Sequence, residues 1–295
     1  MSELPSRTKT YIGPMTNSSV WSQFELRPDD VVVSTPPKSG TTWMQSIIAM
    51  LIFGKSKMDC AIGEISPWLD CGFRDNDAIA VSLDAQTHRR CIKSYTPFDG
   101  ITYRHDCTYM AVYRHPMDVH FSMRKHVENL KIDLLKDRFP ESISDAFQMF
   151  VEDETPDGGN DDMTLDSIVY HYLSFRKFDH LPNVHLFHYT DMTRDLRAQI
   201  SRAASILNYD HPSDVMNDIV DGAGFATMRS KAEQAAKPGG SATFKDEAAF
   251  FDSGTSRKWE GHLSQTGVDK YKARIADLLP REDVIWLEYG ESGAA

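Results

Sequence analysis

The stretch that most constrains this chain is Val31-Val32-Val33-Ser34-Thr35-Pro36-Pro37-Lys38-Ser39-Gly40-Thr41-Thr42-Trp43. A β-branched apolar run predicts a buried strand, Pro36-Pro37 a turn, and the apolar segment Thr41 to Phe53 a helix. A strand, a tight loop of small residues and a helix N-terminus together make an anion site. Free backbone N–H groups and the helix dipole converge on one point, and Lys38 adds a full charge there. The loop is not the G-x-x-x-x-G-K-[ST] phosphate loop, because its lysine precedes Gly40 and no glycine lies between Val31 and Lys38. As chemistry, Lys38 to Thr42 reads as a cradle for phosphate or a phosphate-like group. A strand-to-helix turn with an incidental lysine is the alternative this segment alone leaves open.

Tyr109 to Tyr113 predicts a second buried strand, ending in Arg114-His115-Pro116-Met117-Asp118-Val119. Pro116 suits a first helical turn, where its missing N–H costs nothing, and Asp118 suits the positive end of the dipole. Arg114 is thereby left at the carboxyl end of a strand, where open α/β sheets bind their ligands. On the next helix, Asp118, Ser122 and His126 recur every four residues and share a face. Arg114 with Ser122 is a second candidate anion clamp; taken alone, such an arginine is a surface ion-pair partner.

Further strands are expected at Cys91 to Tyr95 and Val184 to Tyr189, and helices at Met117 to Leu130, Leu165 to Phe178 and Leu196 to Leu207. Strands alternating with helices predict an α/β fold, a central parallel sheet flanked by helices on both faces. At 295 residues and 41% hydrophobic, the chain can bury one large core of this kind. A net charge of −11 argues against nucleic-acid binding and requires the basic residues to be concentrated locally around any anion. Cys60, Cys71, Cys91 and Cys107 have no C-x-x-C spacing, so no metal site is expected, and their scatter fits reduced thiols. Met1 to Gly13 has no apolar leader core, and Trp43 to Phe53 is too short to span a bilayer, so a cytoplasmic protein without a membrane association is expected. Two stretches, Glu152 to Asp162 and Lys237 to Ser241, carry the Pro, Gly and charge of loops.

The two anion motifs resemble those of the cytosolic sulfotransferase family, and the resemblance extends over most of the chain. It implies a single sulfotransferase domain over residues 1–295, with an N-terminal extension at 1–20 and a P-loop-like strand-loop-helix that binds phosphosulfate. In that family the loop matched by Lys38, Ser39, Gly40, Thr41, Thr42 and Trp43 grips the 5′-phosphosulfate of 3′-phosphoadenosine 5′-phosphosulfate (PAPS). Arg114 and Ser122 match the Arg and Ser that hold its 3′-phosphate. Tyr189-Thr190-Asp191-Met192 is similar to the family's Tyr-Glu-Asp-Met, whose tyrosine reaches the adenine. Phe225-Ala226-Thr227-Met228 is similar to the Phe-x-x-Met segment that closes the adenine pocket opposite Trp43. The implied reaction moves a sulfuryl group to a hydroxyl or amine of a small-molecule acceptor, releases 3′,5′-diphosphoadenosine (PAP) and uses no metal. Residues 152–162 and 237–250 occupy the positions of loops that fold over acceptor and cofactor in the family.

Two positions depart from the family pattern. Lys93-Ser94-Tyr95-Thr96-Pro97 resembles the family's Lys-Thr-His-x-Pro, in which the lysine contacts the sulfuryl group and the histidine is the general base; here Tyr95 takes the histidine's place. A phenol, ionising near ~10, is a weak base at neutral pH, whereas an imidazole is well suited. His126, roughly 6 Å beyond Ser122 on the same helix face, is the other candidate, with Asp70 and Asp99 as carboxylate alternatives. Near the C-terminus, the family's Arg-Lys-Gly 3′-phosphate contact aligns with Asp252-Ser253-Gly254, and a basic pair, Arg257-Lys258, follows five residues further on. Either that pair substitutes or the 3′-phosphate is held less tightly. A monomer and a homodimer both remain open, since the family's dimer signature is not recognisable. Trp68, Phe73, Phe98, Tyr103 and Phe139 are candidate walls for the acceptor. The competing functions are a catalytically silent PAPS- or PAP-binding protein and a nucleotide-dependent phosphotransferase; the latter would need a Mg²⁺ site.

Overall fold

Four apolar runs pair into one parallel sheet in the order β2-β1-β3-β4, formed by β1 (Val31–Ser34), β2 (Cys91–Ser94), β3 (Thr108–Tyr113) and β4 (Val184–His188). Val31 lies opposite both Cys91 and Thr108, and Tyr109 lies opposite Val184. The computed structural model describes residues 3–133, 135–235, 244–246 and 255–294. Among these, the helices in chain order are α1 (Thr41–Phe53), α2 (Ile62–Ile65), α3 (Asn76–Asp84), α4 (Pro116–Asn129), α5 (Ile143–Glu152) and α6 (Leu165–Arg176). They continue with α7 (Tyr189–Arg194), α8 (Leu196–Ile206), α9 (Ser213–Ala223), α10 (Phe225–Ala235), α11 (Gln265–Leu278) and α12 (Arg281–Tyr289).

The pleat sorts alternate residues to opposite layers. Val31, Val33, Met110 and Val112 pack with Met44, Ile47 and Ile48 of α1 and with Ile200 and Ile219 of α8 and α9. Val32, Tyr109, Ala111 and Tyr113 face the other way, onto Phe147, Phe150, Tyr172, Tyr271 and Leu287 of α5, α6, α11 and α12. Both faces are therefore covered, which is why these strands read as unbroken apolar runs rather than alternating ones.

After β1 the chain adds β2 on one side and then crosses to add β3 on the other. That reversal opens a crevice between the carboxyl ends of β1 and β3, the place where open α/β sheets take ligands. The Lys38 loop and Arg114 both leave the sheet there. The segment 152–162 meets the carboxyl end of β2, where the Asn160 amide donates to the Tyr95 carbonyl at 3.1 Å. The Asp161 carboxylate accepts hydrogen bonds from the Met15 and Thr16 N–H groups at 2.7 and 2.8 Å, and Arg138 pairs with Asp162 at 2.6 Å. Of the segment 237–250, only Phe244 to Asp246 belong to the described residues. They dock on the end of α4, with Lys245 N–H donating to the Asn129 carbonyl at 2.8 Å.

Candidate active site

The Lys38 loop is built to leave donors open. α1 starts from Gly40 in a left-handed conformation, φ +118°, and its first turn has no side-chain cap. A Cβ on Gly40 would also crowd the Tyr189 ring at 3.3 Å, so any other residue here is strained by both backbone conformation and contact. Lys38 is likewise at positive φ, 67°. Thr35 and Thr41 share a 2.5 Å hydroxyl contact that closes the loop, while the buried Ser39 hydroxyl meets no hydrogen-bond partner among the described residues. Thr42 and the indole of Trp43 complete the first turn of the helix, Trp43 Nε1 donating to the Ala223 carbonyl at 2.8 Å.

Across the crevice, Arg114 is buried and its guanidinium lies over the Tyr189 ring, 4.2 Å from the centroid. One terminal nitrogen donates to the Thr255 carbonyl at 2.7 Å; its Nε meets no partner among the described residues. Two buried polar atoms without partners, Ser39 Oγ and Arg114 Nε, thus sit on the two loops that sequence reasoning assigned to a doubly charged ligand. Tyr189 packs edge-on to Trp43 at 5.4 Å, and Met228 belongs to the same buried cluster. Phe225, half-buried, opens α10 beside them. Ser122 is buried on α4. These residues fit an aromatic base flanked by two anionic groups.

Ser253 and Gly254 lie outside the described residues. Asp118 anchors the chain just beyond them: its carboxylate accepts from the backbone N–H groups of Arg257 at 3.0 Å and Lys258 at 2.8 Å. Sequence reasoning placed Asp118 at the helix dipole; its second task, docking a segment 139 residues away, had no local signal. The Arg257 side chain is 70% exposed and pairs with Glu260 at 3.6 Å, so it extends toward solvent rather than onto Arg114.

The catalytic candidates do converge. Lys38 Nζ lies 3.4 Å from His126 Nδ1. Lys93 Nζ sits over two rings, 4.4 Å from Trp68 and 4.5 Å from Tyr95, and those rings meet edge-on at 4.7 Å. Burial, then the charges of Lys38 and Lys93, push His126 down to about 3, so its imidazole is neutral at physiological pH. A lysine ammonium has only donors, so Lys38 gives the hydrogen bond, Nδ1 accepts it and Nε2 carries the proton. The carboxylate alternatives are occupied. Asp70 is fully buried and accepts from Trp21, Trp68, Ser94 and Thr96, and burial raises its pKa. Asp99 accepts from the Tyr11 and Tyr170 hydroxyls at 2.7 and 2.6 Å.

Of the proposed acceptor walls, Phe98 and Tyr103 are packed into the core against Phe175 and Tyr109. Phe139 joins Met15, Met123, Val127 and the partly buried Trp68, Tyr95 and Met163 in an apolar cluster beside Lys93. Phe73 rests on the outer edge of Trp68 at 5.6 Å and is 47% exposed.

Two cationic loops at the switch point of a parallel sheet, one beside an aromatic platform, have the chemistry of a site for an anionic ligand with an aromatic group. Residues 28–281 match the sulfotransferase domain family, and the chain belongs to it. A glycolipid sulfotransferase of Mycobacterium tuberculosis is 29% identical over 96% of this chain and 95% of its own length. Sulfotransferase 1E1 of Bos taurus is 24% identical over 84% and 83%. Mouse sulfotransferase SULT7A1 complexed with PAP superposes with a TM-score of 0.72 at 19% identity, covering 96% of each chain, and so shares the fold. The protein is a sulfotransferase. Among the described residues, no helix is long and apolar enough to cross a membrane.

Proposed function

We propose that the protein sulfates a hydroxyl on a largely apolar acceptor, with His126 as general base in place of the family's histidine. The observation that carries this reading is the 3.4 Å contact between Lys38 Nζ and His126 Nδ1. Bound PAPS supplies the sulfuryl group and a phosphate leaving group. Lys38 turns from His126 to the bridging oxygen, where negative charge grows as the S–O bond breaks, and its departure exposes the Nδ1 lone pair. His126 Nδ1 then takes the acceptor's hydroxyl proton as the acceptor oxygen bonds to sulfur. Lys93 offsets charge on the sulfuryl oxygens. Arg114 and Ser122 grip the 3′-phosphate, and Trp43, Tyr189, Phe225 and Met228 enclose the adenine.

A hydroxyl acceptor is favoured over an amine because a hydroxyl must give up its proton as it attacks, which sets a task for the neutral imidazole of His126, and because the mycobacterial relative is named for a glycolipid. The apolar cluster around Phe139 and Trp68 suits an acceptor with an apolar body. The deciding experiment compares His126→Ala with Tyr95→Phe on an alcohol acceptor with PAPS supplied. Loss of a general base costs about 10²–10⁴-fold in kcat. His126→Ala is expected in that range and Tyr95→Phe within about threefold; the reverse ranking would move the base to Tyr95.

A further inference from the structure

A cavity bordered by the Pro36-Pro37 turn that precedes Lys38 contains an unexpected polar group. It is lined by Pro36, Pro37, Met123, Phe139, Asn160 and His171, among others, and His120 of α4 forms part of its wall. The His120 ring is 2% exposed and lies in an aromatic box, with centroids 4.7 Å from Phe150, 5.4 Å from Phe139 and 5.5 Å from Phe147. Neither of its ring nitrogens meets a hydrogen-bond partner among the described residues. Burial pushes it down to about 3, so the ring is neutral, with one N–H to give and one lone pair to offer.

The other polar groups of the wall are already engaged. The His171 nitrogens meet the Tyr113 hydroxyl at 3.0 Å and the Ser34 hydroxyl at 3.2 Å. The Asn160 amide donates to the Tyr95 carbonyl at 3.1 Å, and the Ser167 hydroxyl donates to the Thr164 carbonyl at 2.8 Å. A phenylalanine would fill the box around His120 without burying two unmet polar atoms, which is destabilising. The imidazole therefore points to a ligand that arrives from outside. The cavity begins at Pro36-Pro37, directly before Lys38, and Met123, Phe139 and Met163 of its wall also belong to the apolar cluster beside Tyr95 and Trp68. The free space of the cavity, about 20 Å³, takes one small polar group, so an acceptor whose apolar body lies on that cluster, with its reacting hydroxyl at Lys38 and His126, would bring only a terminal hydroxyl or carbonyl to His120.

We propose that His120 is a specificity-determining residue that hydrogen-bonds a second polar group of the acceptor, a hydroxyl or carbonyl oxygen remote from the one sulfated. This inference rests on the proposed acceptor reading and adds the requirement that the acceptor be bifunctional. The test uses calorimetry on the PAP-loaded protein with a matched probe pair, 4-phenylphenol and 4,4′-biphenol. The wild type is expected to bind the diphenol at least about tenfold more tightly, because a site built to hydrogen-bond a group discriminates against the analogue lacking it. In His120→Phe the two probes should bind within about twofold of each other, and His120→Gln, which keeps a donor and an acceptor, should retain most of the preference. PAP affinity reports folding of each variant; should His120→Phe lose it, His120→Leu is read by the same criterion. Equal affinity for the two probes in the wild type, a preference that survives in His120→Phe, or no binding of either probe would overturn the proposal; equal affinity would leave His120 serving a bound water only. Failure of the wild type to bind PAP would overturn the underlying reading as well.

Discussion

Arg114→Lys separates the two anion sites most cleanly. The side chain is 4% exposed, and the Tyr189 ring at 4.2 Å and the Thr255 carbonyl at 2.7 Å hold its planar fork in one orientation. Lysine keeps the charge but replaces the fork with a single mobile ammonium. Toward a 3′-phosphate, the change removes one charge-assisted hydrogen bond, about 1.5–3 kcal/mol. It also adds the ordering of a flexible stem, about 0.5–1.5 kcal/mol. The sum, about 2–4.5 kcal/mol, corresponds to a loss of roughly 30- to 1,500-fold in PAP affinity at 1.4 kcal/mol per tenfold. AMP, which has no 3′-phosphate, uses only the Lys38 loop and the adenine platform, so its affinity should move by less than about threefold. Titration calorimetry of both nucleotides on both proteins reads the ratio directly. PAP affinity unchanged within about threefold would refute a 3′-phosphate role. A parallel fall for AMP would show that Arg114 acts by holding the segment around Thr255 instead.

Lys38→Ala should lower kcat by about 10²–10³-fold, the usual loss for a donor aimed at developing negative charge, and a quench assay at saturating PAPS would detect near-full turnover if Lys38 lay outside the mechanism. The pH profiles of the wild type should split. The acid limb of kcat/KM reports the free enzyme, where burial and then the charges of Lys38 and Lys93 hold His126 near 3; that of kcat should lie higher, because bound anionic groups offset the lysine part of that depression. Coincident limbs would argue against His126 as the base. Stability should also fall in mild acid. His115, His120, His126, His171, His185 and His188 are all pushed down, to about 3 or 4, chiefly by burial. Their folded pKa values lie below the unfolded value near ~6.5, so their stabilisation is complete above that pH and is lost as pH falls toward 4. Asp70, Asp161 and Glu288 are raised by burial and act in the opposite sense, leaving a net uptake on unfolding of about three to six protons near pH 5. Calorimetric Tm values that stay flat between pH 6.5 and 5 would contradict that balance.

The strand, turn and helix from Val31 to Phe53 were legible because each signal is local: β-branched residues, a proline pair, a glycine, then an apolar helix. The same holds for Pro116 at the start of α4 and for the order of the four strands along the chain. Helices α2, α3, α5, α7 and α9 to α12 carried no expectation, and most of them pack by faces that acquire meaning only once the sheet exists. The 2-1-3-4 strand order, which creates the crevice, is a property of crossovers, and hydrophobic period is silent about them. So is the pairing of Lys38 with His126 across 88 residues; a helix face is readable from spacing, but which neighbour it meets depends on how α4 settles on the sheet. Phe98 and Tyr103 have the composition of pocket walls and became core because Phe175 and Tyr109 stack on them. Asp70 has the composition of a base and became a buried acceptor for four donors drawn from residues 21 to 96. Residue type sets what a side chain can do; the burial and the partners that tertiary packing assigns decide which of those chemistries survives.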